Sequence, residues 1–315
     1  MNNFLYKIRN YQPADFNKFI LLQIEAEKLE PTGRCLSLQA ISEQLNRPNH
    51  CPIMDLFVAE ANNKIIGYLD ITHEIIIGRV IFDCWVHPAY RNRGIATRLF
   101  KCAFNRAKNL QSKVAHVFTT EDNDINKRML CKMDYEPIRH FLTLRVRISD
   151  INFSEIAQVN IECHHLQRGE EEKLTQIQNL TFAEHWGYNP NTVEDINYQI
   201  YSSTNSPDNI MVIRGNDKFI GYCWTKIACE GSTFSKIKGL IFMLGVNPNY
   251  RERGIGKRIL LLALAHLKSK NLHFAELTMD SENKKAGILY HNVGFKVCAR
   301  NLWYERIINQ DTEAK

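Results

Sequence analysis

Residues 250–258 read "YRERGIGKR", and residues 90–98 read "YRNRGIATR". Gly254 and Gly256, set among Arg251, Arg253 and Lys257, suggest a backbone that must come close to something anionic. Working outward at a fixed offset of 160, Val86 falls on Val246, Pro88 on Pro248, Tyr90 on Tyr250, Arg91 on Arg251, Arg93 on Arg253, Gly94 on Gly254, Ile95 on Ile255, Arg98 on Arg258 and Ala103 on Ala263. The register continues without a gap: Asn123 falls on Asn283, and "MDYEP" (133–137) on "VGFKV" (293–297). Chance does not hold one register that long. The chain is an internal duplication, with a period far too long for a solenoid unit, so it encodes two domains.

Length agrees. The 315 residues suit two domains of roughly 150 each. The reading places them at 1–150 and 151–315, with a linker near 148–158, "ISDINFSEIAQ". A hydrophobic share of 44% against 23% charged is that of an ordinary soluble globular chain. No apolar run approaches the roughly 20 residues of a membrane span, and "MNNFLYKIRNYQPADF" lacks the pattern of a secretory signal. Nine scattered cysteines, none in a C-x-x-C pair, predict a reduced, cytoplasmic protein rather than a disulfide framework. Net charge is +6, and residues 1–150 hold most of the excess, with 21 Lys and Arg against 16 Asp and Glu. The basic residues are not run together, which argues against nucleic acid and for a small anionic ligand.

Each copy reads as the same series. In copy 2, "NIMVIRG" (209–215), "KFIGYCWTKIACE" (218–230) and "KIKGLIFMLGV" (236–246) read as strands. "GIGKRILLLALAHLKSK" (254–270) has apolar residues at helical spacing, "HFAELTM" (273–279) reads as a strand and "ENKKAGILYHNVGF" (282–295) as a helix. "KVCARNLWYERII" (296–308) is expected to close the sheet of its own copy. Copy 1 repeats the order and ends on "RHFLTLRVRI" (139–148). Helical segments open each half, at 13–30 and 37–46, and at 169–185 and 192–201.

The quoted turn therefore joins a strand to a helix. The first N–H groups of that helix lack internal partners and lie at the positive end of its dipole, a ready seat for phosphate. It is neither G-x-x-x-x-G-K-[ST] nor G-x-G-x-x-G. Alone, it reads equally as an ordinary connection with solvated arginines. A second motif stands beside it. "VNPNYRERGIGKRIL" (246–260) followed by "LTMDSENKKAGILYHNVGF" (277–295) resembles the GCN5-related N-acetyltransferases through Asn283, Ala286, Tyr290, Gly294 and Phe295. The resemblance covers nearly all of both halves, in a tandem layout similar to that of the mycothiol synthases.

The resemblance implies an α/β fold of two tandem domains, each a mixed central sheet flanked by helices, with splayed strands 4 and 5. It implies acetyl-CoA as co-substrate and no metal. In copy 2 the cofactor would meet Leu244, Gly245, Val246, Arg251, Glu252, Arg253, Gly254, Ile255, Gly256, Lys257 and Asn283. In copy 1 it would meet Cys84, Trp85, Val86, Arg91, Asn92, Arg93, Gly94, Ile95, Ala96 and Thr97. Gly245 is expected to mark a β-bulge. Tyr290 would protonate the leaving thiolate. Copy 1 has Leu130 there and Asp134 for Gly294, and so reads as a structural or CoA-binding half.

Asp83 of copy 1 stands where such enzymes place an acid facing the acceptor and is its possible base; copy 2 has Met243 there, and Leu240 nearby is no carboxylate either. Copy 2's base is left among Glu230, Glu276, Asp280, His185 and a water chain. Trp186 and Tyr188 in "HWGYNP" (185–190) are either core or part of the acceptor pocket. "ECHH" (162–165) invites a zinc reading, but strand neighbours point to opposite faces and cannot converge on one ion.

The expected protein is a monomer with pseudo-dimeric domains that acetylates a primary amine on a small molecule or peptide. The rival expectations are a CoA sensor or scaffold without turnover, and an enzyme acting on protein N-termini.

Overall fold

The computed structural model describes residues 4–32, 37–154, 162–215, 218–229 and 237–308. The candidate base Glu230 and part of the expected linker lie outside them. The chain forms two compact units. Unit 1 takes the described residues up to Arg139 and those from Asn301 onward; unit 2 takes His140 to Arg300.

Unit 1 contains β1 (Lys7–Asn10), α1 (Phe16–Leu29), α2 (Leu38–Leu45), α3 (Pro52–Asp55), β2 (Leu56–Ala61), β3 (Lys64–Glu74), β4 (Arg79–Val86), α4 (Ile95–Asn109), β5 (Val114–Thr120) and α5 (Asp124–Lys132). β6 (Glu136–Arg147) leads into unit 2, which holds β7 (Cys163–His165), α6 (Glu171–Phe182), α7 (Val193–Ile200), β8 (Ile210–Gly215), β9 (Lys218–Cys229), β10 (Ile237–Val246), α8 (Ile255–Ser269), β11 (Phe274–Asp280) and α9 (Lys284–Val293). β12 (Lys296–Ile307) follows. None of the described helices is long and apolar enough to cross a membrane.

The strand order in unit 1 is β1-β2-β3-β4-β5-β12, and in unit 2 it is β6-β11-β10-β9-β8-β7. β4 runs parallel to β5, and β10 parallel to β11, while the hairpins are antiparallel. Each sheet is therefore mixed. α4 and α8 cover one face of their sheets, burying Leu99, Ala103 and Ala107 in unit 1 and Ile259, Leu260, Ala263, Leu264 and Leu267 in unit 2. α1 and α2, or α6 and α7, cover the other face. The helical spacing of the sequence predicts these faces.

One expectation is corrected. The last strand of each copy does not complete its own sheet. β5 pairs with Asn301–Ile307 of β12, and β11 pairs with Phe141–Arg147 of β6. Cross-strand chemistry explains the exchange. Glu305 lies opposite His116 and accepts from it at 2.8 Å, and Arg145 lies opposite Glu276, its Nε donating at 2.6 Å. Since the copies are offset by 160, closing each sheet on its own strand would put His116 against Arg145 and Glu276 against Glu305. Two donors would then meet on one sheet and two carboxylates on the other, an arrangement that destabilises a ladder.

A fragment of residues 1–150 can only offer β6 to β5. Its urea midpoint should lie well below that of unit 1 in the full chain, or the fragment should aggregate through its open β5 edge. Equal midpoints would contradict the exchange as a source of stability.

Candidate active site

β10 keeps β9 along its whole length but holds β11 only at Gly239 and Leu240. From Ile241 to Val246 one edge of β10 faces a gap. β4 does the same beyond Phe82, leaving Asp83, Cys84, Trp85 and Val86 without a β5 partner. These are the splayed strands that the resemblance implies. The bulge beside the gap is elsewhere than expected. Ile241 faces Thr225 and Met243 faces Trp224, so the extra residue is Phe242. Gly245 sits in regular register opposite Tyr222. It is glycine for space: a Cβ there would lie 2.5 Å from Thr181 Oγ1 and 2.6 Å from a ring carbon of Tyr222. Leu244 and Val246 pack on the α8 side.

After β10 the chain makes a 3-10 turn at Pro248–Tyr250 and then a turn with two left-handed residues, Glu252 (φ 63°) and Gly254 (φ 76°). Gly254 opens α8. Unit 1 repeats the geometry with Asn92 (φ 61°) and Gly94 (φ 75°) opening α4. Alternating left-handed residues turn successive N–H groups toward one side, a concavity suited to an anion. A Cβ at Gly254 would meet nothing within 4 Å, so glycine is there for its φ and for the open space over the amides. At Gly256 a Cβ would make only ordinary contacts, 3.5 Å to Leu289 and 3.7 Å to Val246, which explains how Ala96 serves in unit 1. Ile255 and Ile95 are buried anchors of the two helices.

The cations divide. Arg251 does not reach toward the cradle. Its Nε donates to the Val246 carbonyl at 3.2 Å and its Nη2 to the Thr181 carbonyl at 3.0 Å, tying the end of β10 to α6. Arg91 is the same staple in unit 1, with Nε on Val86 O at 2.9 Å and its two Nη groups on the Glu30 carboxylate, which also accepts from Trp85 Nε1 at 2.7 Å. Arg253 is exposed, its guanidinium 5.5 Å from the Tyr250 ring centroid. Lys257 is half-buried in the first turn of α8, and Glu252 pairs with Lys285 at 2.7 Å on the surface. In unit 1 the matching Arg93 lies over the Phe4 ring at 4.4 Å while its carbonyl accepts from Tyr6 at 3.2 Å; Thr97 is exposed beside it.

α9 faces the same region. Asn283 caps it by accepting from the Ala286 N–H at 3.1 Å, and Asn123 caps α5 on Asn126 in the same way. Gly294 (φ 105°) ends α9, and the Phe295 N–H returns to the Tyr290 carbonyl at 3.0 Å. Phe295 is buried, with its ring 5.8 Å from that of Tyr290. Tyr290 is held at both its backbone and its ring. Its phenol makes no hydrogen bond among the described residues, and burial raises its pKa well above the ordinary value. The same burial raises the neighbouring Cys223 thiol. In unit 1, Leu130 is fully buried in this place, and Asp134 takes the left-handed position (φ 61°) that Gly294 holds in unit 2.

Among the sequence candidates for a base, Glu276 holds Arg145 on one oxygen and Lys238 on the other. His185 follows α6. Burial and the charge of Arg251 lower its pKa, while Asp280 and Glu184 act the other way. In unit 1, Asp83 accepts from the Tyr68 hydroxyl at 3.3 Å and lies across from Asp70, which binds His50 at 2.8 Å and Arg47 at 3.0 Å. The Tyr188 hydroxyl is engaged by Asn179 and Asn191, and the Trp186 ring lies 6.1 Å from that of Phe141 on β6. His164 turns to Glu170, and among the described residues no three His, Cys, Asp or Glu converge as a metal site would require.

The model of the acetyltransferase (GNAT) family matches residues 21–135 and again 172–295. A mycothiol acetyltransferase of Amycolatopsis mediterranei (strain U-32) is 24% identical over 90% of this chain and 97% of its own. One from Stackebrandtia nassauensis is 24% identical over 85% and 90%. Among solved structures, a GCN5-related N-acetyltransferase from Sphaerobacter thermophilus superposes with a TM-score of 0.71 at 18% identity, covering 96% of each chain. A tandem GNAT protein from the clavulanic acid biosynthesis pathway superposes at 0.69 and 12% identity, covering 97% and 99%.

Gly254→Ala forces a Cβ into a left-handed backbone, which costs about 1–2 kcal/mol, and brings a methyl over the amides. It should weaken CoA binding at unit 2 at least tenfold by calorimetry, whereas Gly256→Ala should stay within about threefold. Equal losses in the two variants would refute this account of the turn.

Proposed function

This chain belongs to the acetyltransferase (GNAT) family, and from that premise we propose that unit 2 transfers the acetyl group of acetyl-CoA to a primary amine by direct attack within a ternary complex. The observation that carries the proposal is one juxtaposition. A left-handed turn opens a helix of fifteen residues beside a strand edge without a partner, and an unengaged buried phenol stands on the next helix. The amides of the turn and α8 suit the pyrophosphate, with Arg253 and Lys257 adding charge. The open edge at Leu244–Val246 offers N–H and C=O groups to an extended amide chain. Arg251 sets the position of that edge by holding its last carbonyl.

Attack of the amine forms a C–N bond and breaks the C–S bond. The amine must lose a proton, and the departing sulfur must gain one. Tyr290 is the donor in this reading. Its raised pKa keeps it protonated, and a thiolate leaving into the same apolar surroundings is destabilised as much as a phenolate would be, as Cys223 illustrates. His185 is the base: its lowered pKa leaves the imidazole unprotonated at neutral pH. Unit 1 has the turn without the phenol, and its Arg93 is engaged by Phe4. Its role in this reading is to bind CoA or to support the fold.

Two measurements test the proposal. Tyr290→Phe keeps the ring packing and removes the hydroxyl. With chemistry limiting, kcat should fall about 10²–10⁴-fold while CoA affinity holds; a loss under about threefold would remove Tyr290 as the acid. If His185 is the base, activity is present above its lowered pKa and lost as pH falls through it. The acid limb of kcat/KM should then lie below about 6.5, the ordinary imidazole value, and vanish in His185→Asn; a limb unchanged in that variant would exclude the assignment.

A further inference from the structure

Lys226 of unit 2 takes no part in this chemistry. Tyr222, Trp224 and Lys226 alternate along β9 onto the face covered by α6 and α7, opposite α8. The first two are fully buried. Lys226 is half-buried, opposite Leu240, the last residue of β10 that still holds β11. It therefore stands at the fork where the two strands part. Its ammonium lies 3.3 Å from the ring centroid of the bulged Phe242 and 5.3 Å from that of Trp224. Among the described residues no carboxylate or other hydrogen-bond acceptor meets it. Burial pushes its pKa down to about 8, with no charged group contributing. Phe242 beside it is 40% exposed, so the place opens to solvent.

A lysine held this way has lost much of its water and has only two aromatic faces in exchange. The buried lysine that stabilises a sheet usually has a carboxylate, as Lys238 of the same sheet has Glu276. That no anion meets it among the described residues is the informative feature. The gap from Ile241 to Val246 is where the acyl end of an extended thioester paired to β10 would arrive. An acceptor reaching that carbonyl from the α6 side passes Lys226.

We propose that Lys226 receives an anionic group, a carboxylate or a phosphate ester, carried by the acceptor, so that the acceptor of unit 2 is an amine that also bears a negative charge. Phe242 and Trp224 then flank the apolar part between the two groups. Unit 1 offers the reverse: the corresponding face at its fork carries Asp70 and Asp83. This inference rests on the acetyl-transfer reading and narrows its acceptor.

Ligand-observed NMR titrations with phenylacetate, phenyl phosphate and the neutral phenylacetamide, on the full chain with CoA present, test it. One of the anions should bind at least tenfold more tightly than the amide, and which one does so identifies the group. The preference should be lost in Lys226→Met, which keeps the apolar stem, and largely kept in Lys226→Arg. Absence of the preference, or its survival in Lys226→Met, would overturn the inference. CoA affinity measured on the same variants separates the two readings. If CoA binds and the preference is absent, only the role of Lys226 falls; if the parent chain does not bind CoA, the acetyl-transfer reading falls with it.

Discussion

A strand inside a sheet cannot lose a neighbour without leaving backbone groups to be satisfied by something else. β10 keeps β11 for two residues and then runs on beside a gap. The rest of unit 2 is arranged around that edge. Phe242 is inserted where the strands part, which adds local twist. Thr181 presses against Gly245 so closely that no side chain fits, and Arg251 ties the last carbonyl of the strand back to α6. The turn beyond, with Glu252 and Gly254 left-handed, opens α8 directly after that edge. In the proposed reading, an extended, amide-bearing ligand with a phosphate at one end takes both features at once.

The two copies show which parts of this arrangement tolerate change. Left-handed φ values persist at both turns, with asparagine and glycine in one and glutamate and glycine in the other. The arginine staple persists too, though its second partner is a carbonyl in unit 2 and the Glu30 carboxylate in unit 1. The helix after β5 keeps its asparagine cap and its left-handed end even where glycine has become aspartate. The phenol does not persist. Backbone geometry has been kept in both halves, while the group able to give up a proton stands in one.

Much of this was legible in the sequence, because the fold is written in local signals: alternation for strands, helical spacing for α4 and α8, glycine where φ must be positive. The splay followed from the resemblance rather than from the pattern. Side-chain direction was not legible. Arg251 looks like a phosphate ligand in sequence and is a structural staple in space; Gly245 looks like a bulge and is a close contact. Lys226 did carry a signal, a lysine continuing the apolar face begun by Tyr222 and Trp224. Strand exchange was hidden for a different reason. The last strands of the copies are alike in length and alternation, and only comparing His116 with Glu305 and Glu276 with Arg145 tells which belongs where.

That exchange sets a schedule for synthesis. Among the described residues, unit 2 lies between His140 and Arg300, whereas unit 1 begins first and waits for Asn301–Ile307. As the chain leaves the ribosome, the later unit has its full complement of strands before the earlier one. During that interval β5 has an open edge, the situation that invites pairing with a neighbouring nascent chain. The unit made first is thus the unit completed last, and its closure awaits β12.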